Sequence, residues 1–152
     1  MKRIPANKSR FGKWIQSLTK CGVLLFPITL FLACDGPTRS AHKAFIASSK
    51  SAMQPEVLQK EAAGILSKAA TGDTIPIADL PAALTNFPAG PPQDAMVGTW
   101  GDSQEKGLML IWGGGFAHWG LIIGGPRFAM PDVDYLETSR WSSNVIFFYQ
   151  IR

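Results

Sequence analysis

Apolar residues recur at helical spacing between Pro55 and Ala70. They form one stripe along the predicted helix, made of Leu58, Ala62, Ile65, Leu66 and Ala69. Pro55 suits the first helical turn, where its missing N–H has no intrahelical partner. Glu56 near the start and Lys68 near the end match the helix dipole, and Gly72 follows where a C-cap glycine is common. The pattern predicts one main helix over Pro55–Ala70.

The last third of the chain consists mainly of short apolar runs of strand length. The runs are Met96–Trp100, Leu108–Trp112, Phe116–Ile123 and Asn144–Ile151. Three glycines, Gly113–Gly115, join the second run to the third, which is a hairpin signal. We therefore predict a single α+β domain over residues 55–152. Its antiparallel sheet of about four strands packs one face against the main helix.

Two segments break this pattern. Thr74–Pro92 contains five prolines and predicts a connector packed on the core, with a short helix over Leu80–Asn86 capped by Asp79. Gly124–Ser143 contains two more prolines and predicts a long excursion between strands.

Another apolar run, Val23–Ala33, has 11 residues and no charge. As a helix it would be about 16 Å long, about half the hydrocarbon thickness of a bilayer. Six cations and no acidic residue precede it. A positive n-region before a short apolar run is typical of a secretory signal peptide, which we predict over residues 1–33. An uncleaved anchor and a buried core helix are the alternatives.

The run ends in Phe31-Leu32-Ala33-Cys34, which resembles the lipobox of bacterial lipoproteins. Ala33 matches the small residue before the cysteine, while Phe31 and Leu32 differ from the residues that the family prefers. Ala33 alone would also suit the cleavage site of an ordinary secretory signal, which is the alternative without lipidation. The resemblance implies cleavage before Cys34, acylation of its sulfur and anchoring to membrane lipid on the non-cytoplasmic side of the cell membrane. Asp35 resembles the signal that retains such proteins in the inner membrane of Gram-negative bacteria.

Removing residues 1–33 changes the charge of the chain. The whole sequence carries +4, but the remainder has nine basic and eleven acidic side chains, a net charge of −2. The basic residues are scattered, so we expect no nucleic-acid partner. The only cysteine left is Cys34, so no disulfide is expected. Residues 34–54 are rich in Ser, Ala and Lys, and predict a flexible tether about 25 Å long. A helix over part of Ala41–Ser49 is the alternative.

His118 is the only histidine in the predicted domain. Histidine is the commonest general base, so a small hydrolase using His118 is the alternative function. Its partner would have to be Asp102, Ser103 or Glu137. One histidine without a thiol cannot form a His/Cys metal site. The acidic segment Asp132–Glu137 lacks the glycine of an EF-hand loop, so no metal or cofactor is expected.

The favoured function is a non-catalytic binding module of the cell envelope. Four tryptophans are many for so small a core, since large aromatic side chains are rarely buried completely. An exposed aromatic surface would bind a partner protein or a polysaccharide. The candidate ligand-binding residues are Trp112, Trp119 and Trp141.

Overall fold

The computed structural model describes residues 26–100, 105–113, 117–128 and 136–151, with side chains between Thr38 and Gln150. The chain divides into two units, residues 1–35 and 36–152, and the fold described below is that of the second. The elements in chain order are α1 (Phe26–Ala52), α2 (Pro55–Leu66), a 3-10 turn (Ile77–Asp79), α3 (Ala82–Thr85), β1 (Asp94–Gly98), β2 (Gly107–Trp112), β3 (Ala117–Gly124), β4 (Glu137–Arg140) and β5 (Val145–Ile151).

The described strands form one antiparallel sheet in the order β1-β2-β3-β5-β4. The α+β class and the β2–β3 hairpin are as predicted, with Trp112 opposite Trp119 across the hairpin. Within the described residues the sheet has five strands, where the sequence predicts about four. The additional strand, β4, lies within the predicted excursion and pairs with β5. Its sequence, Glu-Thr-Ser-Arg, is polar throughout, which suits a short edge strand and gives no apolar signal.

The helices cover one face of the sheet. Side chains of this face belong to the larger core cluster, which includes Leu110, Leu121 and Phe147 from adjacent strands and Leu58 and Leu84 from α2 and α3. The opposite face has a smaller apolar cluster. Its buried members are Met109, Ile122, Phe128, Leu136, Ile146 and Phe148. Both faces of β5 are therefore buried, as its run of apolar residues predicts.

The main correction concerns the predicted tether. Instead of a flexible coil over residues 34–54, helix α1 continues to Ala52. Phe45 is only 3% exposed, and its ring lies 4.7 Å from that of Trp112 and 5.9 Å from that of Phe147. The folded part therefore begins well before Pro55, and α1 is packed on the sheet from Thr38 onward.

The ends of α2 and of the connector also differ from prediction. Helix α2 ends at Leu66, and the Nζ of Lys106 donates to the carbonyls of Leu66 and Ala69, at 2.6 and 2.7 Å. Gly72 has φ +96° but donates its N–H to the Val97 carbonyl, so it starts a segment along β1 rather than capping the helix. In the connector, the short helix α3 has Pro81 rather than Asp79 at its N-cap and has no side-chain capping hydrogen bond.

Among the described residues, no helix is long and apolar enough to span a bilayer.

Candidate functional site

The structure separates the three tryptophans proposed as ligand-binding residues. Trp112 is 4% exposed, with the rings of Phe45 and Phe87 at 4.7 and 4.8 Å. Its Nε1–H donates to the Gly90 carbonyl at 3.1 Å. Both the face and the polar atom of this indole are thus already used inside the protein, so Trp112 leaves little surface for a ligand and its role in binding stays a prediction.

Trp141 lies just beyond β4 and is half-buried. Its ring stacks on Phe147, with centroids 5.2 Å apart and planes inclined by 13°. Its backbone N–H donates to the Val145 carbonyl in the turn between β4 and β5. Trp141 therefore packs on Phe147 at the edge of the core, away from the other two tryptophans.

Trp119 is half-buried and borders an open groove. In the sheet it lies between Trp112 on β2 and Tyr149 on β5. Its six-membered ring packs on the backbone of Gly113, where a Cβ atom would overlap it. Gly113 also has φ +83°, a conformation that side chains other than glycine rarely adopt. The end of β2 therefore fixes the position of the indole.

The groove has a volume of about 550 Å³. Helix α1 forms one wall, and the segment between α3 and β1 forms the other. The described lining residues are Ala41, Ala44, Phe45, Ser48, Pro88, Ala89, Gln93, Trp112, Gly113 and Trp119. None of these carries a charge. Because the Ser48 hydroxyl donates to the Phe45 carbonyl at 3.1 Å, the exposed amide of Gln93 is the main polar group of this lining.

The α1 wall is attached to the sheet by polar and aromatic contacts. The hydroxyls of Thr38 and Tyr149 are 2.9 Å apart. The Arg39 guanidinium donates to both carboxylate oxygens of Glu137, at 2.6 and 3.0 Å. The His42 ring stacks on Tyr149. Burial lowers the pKa of His42; Glu137 raises it and Arg39 lowers it further. Burial against the sheet therefore favours the neutral form of His42.

Sequence reasoning missed this contribution of α1 because its buried side is mostly polar. Thr38, His42, Phe45 and Ser49 follow one another at intervals of four, three and four residues, which places them on one face of a helix. Their spacing indicates one face of a helix, but Phe45 is the only strongly apolar residue among these four. A search for an apolar stripe therefore overlooks this face of α1.

His118, the candidate catalytic residue, lies on the other face of the sheet, since successive side chains of a strand alternate. Within the described ranges its Nε2 is buried and has no hydrogen-bond partner. Glu137 pairs in register with Tyr149, and Tyr149 with Trp119, so this carboxylate is on the opposite face from His118. Asp102 and Ser103 lie outside the described residues. Among the described residues, Glu137 is therefore not placed to assist His118, and no group bonds to its buried Nε2.

The side chains of Cys34 and Asp35 also lie outside the described residues, so lipidation and sorting stay predictions. In the described ranges, no three His, Cys, Asp or Glu side chains are grouped so that they could hold a metal ion. No protein-family model, curated protein or solved structure matches the chain.

Proposed function

We propose that this chain is a lipid-anchored protein of the bacterial cell envelope whose domain binds a neutral saccharide in the Trp119 groove. The observation that carries the binding proposal is the half-buried indole of Trp119 beside an open groove with an uncharged described lining. The anchor is supported by the apolar run and the lipobox-like sequence that ends in Cys34.

The chemistry of the groove favours a sugar over a charged ligand. A sugar ring presents C–H groups on one face and hydroxyls around its edge, so it can pack on an aromatic ring while its edge stays hydrated. Trp119 supplies the aromatic surface, and the exposed Gln93 amide supplies both a donor and an acceptor. A phosphate or carboxylate would find no cation among the described lining residues.

Because the Trp119 side chain is already ordered, binding a ligand costs it little conformational entropy. Its ring rests on Gly113 and its strand is hydrogen-bonded on both sides. A side chain that is already ordered loses little conformational entropy when a ligand binds. The groove volume also falls in the range of small-molecule sites, about 300–1,000 Å³.

Isothermal titration calorimetry with a soluble N-acetylglucosamine oligomer tests the binding proposal. We expect Trp119→Ala to weaken binding about fivefold or more, since a lost ring contact is worth about 1 kcal/mol. Trp141→Ala is the matched control, because it removes a half-buried tryptophan that stacks on Phe147 outside the groove. Equal affinity of the two variants, or no binding by the unmodified protein, contradicts the saccharide proposal.

Intact mass spectrometry of the membrane-extracted protein tests the anchor. The expected mass begins at Cys34 and includes acyl chains, and Cys34→Ser should abolish both acylation and membrane retention. A mass that retains Met1–Ala33, or one without acyl chains, contradicts the lipoprotein proposal. This result is independent of the calorimetry.

A further inference from the structure

The antiparallel sheet brings one set of strand ends together. β2 and β5 finish, and β1, β3 and β4 begin, at the same end of the sheet. We define the tip surface by Thr38, Arg39, Gly113, Glu137 and Gln150. Thr38 and Arg39 belong to it because they contact Tyr149 and Glu137 at this end.

The distance from Cys34 to this surface is limited by the covalent chain. Only four peptide units separate Cys34 from Thr38, and a fully extended chain of that length spans about 14 Å at most. Thr38 is itself held 2.9 Å from the Tyr149 hydroxyl. Most of the residues predicted to form a flexible tether about 25 Å long are therefore part of helix α1. An acylated Cys34 keeps the end of the sheet near the lipid headgroups.

We propose that the tip surface is the membrane-facing surface of the domain and rests against the phospholipid headgroups. This inference depends on the lipid anchor of the proposed function. The opposite end of the sheet, where Lys106 contacts the end of α2, then points away from the bilayer. The eight residues of β3 separate the two ends by about 23 Å.

The headgroup surface is a better occupant than a second copy of the chain because the bilayer is always present at the anchor. Tethering makes contact with it intramolecular and raises its effective concentration. A second copy would have to diffuse to the same position. The orientation also places Trp119 and Gly113 at the membrane end, so a saccharide in the groove is bound beside the headgroups.

The orientation can be measured with spin labels on the lipidated protein in phosphatidylcholine–phosphatidylglycerol vesicles. Ser40 is exposed on α1 beside the tip surface, and Thr71 is exposed beyond α2 at the opposite end. Ser40→Cys and Thr71→Cys form a matched pair, because the mature chain has no other free thiol once Cys34 is acylated. Nickel-chelating lipids in the vesicles relax only nitroxides near the surface.

We expect the label at Ser40 to relax several times faster than the label at Thr71. A twelve-residue Gly-Ser insertion between Gly36 and Pro37 adds about 20 Å of flexible chain and should remove most of this difference. Equal relaxation at both positions without the insertion overturns the proposal. Dipolar broadening between Ser40 labels, without relaxation by the lipids, also overturns it and indicates a second copy.

Mass spectrometry of the same labelled sample separates the two possible failures. If acyl chains are absent, the anchor fails and the orientation falls with it. If acyl chains are present and the labels relax equally, the anchor stands and the orientation alone is wrong.

Discussion

The imidazole of His42 stacks on the phenol ring of Tyr149, with centroids 5.2 Å apart and planes inclined by 25°. The Arg39 guanidinium lies 5.2 Å from the centroid of the same ring, and Thr38 contacts its hydroxyl. Tyr149 itself is only 1% exposed. The packed part of α1 is therefore attached at its start through one buried tyrosine on β5 and through the Arg39–Glu137 ion pair with β4.

The first prediction concerns pH. His42 has a pKa lowered chiefly by burial, against an ordinary value near 6.5 in the unfolded chain. The unfolded state thus binds more protons than the folded state as the pH falls through 6.5. The stability contributed by neutral His42 is fully present above this pH and is lost below it, down to the lowered pKa of the folded state.

Urea denaturation of the mature chain at pH 7.5 and pH 5.5 measures this effect. We expect the free energy of unfolding to be lower at pH 5.5, and expect His42→Gln to reduce that difference. Because His118 is present in both proteins, the difference between them reports on His42 alone. The same loss of stability in both proteins between these pH values contradicts the role assigned to His42.

A second prediction distinguishes a packed helix from a flexible tether. Phe45 is buried among the rings of Phe87, Trp112 and Phe147. Truncation of a buried phenylalanine typically costs about 3–5 kcal/mol, and we expect a loss of this size for Phe45→Ala. Lys43→Ala, at an exposed position on the same helix, should change the free energy of unfolding by less than about 0.5 kcal/mol. If Phe45→Ala is as stable as Lys43→Ala, residues 38–52 act as a tether after all.

The sheet was more predictable from the sequence than α1 for a physical reason. Strands β2, β3 and β5 are buried on both faces and appear as continuous apolar runs, which polar neighbours and glycines delimit. The packed side of α1 combines the polar residues Thr38, His42 and Ser49 with Phe45 and the partly buried Ile46. Its burial depends on contacts with Tyr149 and other distant residues. Such contacts leave no apolar pattern in the local sequence.

The same reasoning applies to the candidate site. Aromatic content draws attention to the tryptophans, but composition does not indicate which of them is covered. Trp112 is buried because Phe45 and Phe87 cover it. Phe87 belongs to the connector that the sequence predicts to pack on the core, but Phe45 belongs to the predicted tether. Trp119, its neighbour in register, keeps part of its surface exposed at the groove.

The third prediction concerns the end of α2. The Nζ of Lys106 donates to two carbonyls there, at 2.6 and 2.7 Å, and its charge also complements the helix dipole. Lys106→Met keeps most of the aliphatic side chain but removes both hydrogen bonds. We therefore expect the free energy of unfolding to fall by about 1–2 kcal/mol. Lys68→Met is the control, since Lys68 is exposed nearby. Thermal or urea unfolding measures both variants. If Lys106→Met and Lys68→Met lose the same free energy of unfolding, the two hydrogen bonds of Lys106 do not stabilise the end of α2.

The last prediction links the backbone of Gly113 to the groove. Gly113 and Gly90 both have φ +83°, so alanine at either position should cost about 1–2 kcal/mol through backbone strain. Only at Gly113 would the added methyl group overlap the Trp119 ring, because no atom lies within 4 Å of a Cβ at Gly90. Gly113→Ala should therefore displace the indole and weaken saccharide binding, while Gly90→Ala should lose stability but keep its affinity. Calorimetry with the N-acetylglucosamine oligomer measures the affinities, and urea unfolding measures the stabilities. If both variants bind equally well, the position of Trp119 does not determine binding in the groove.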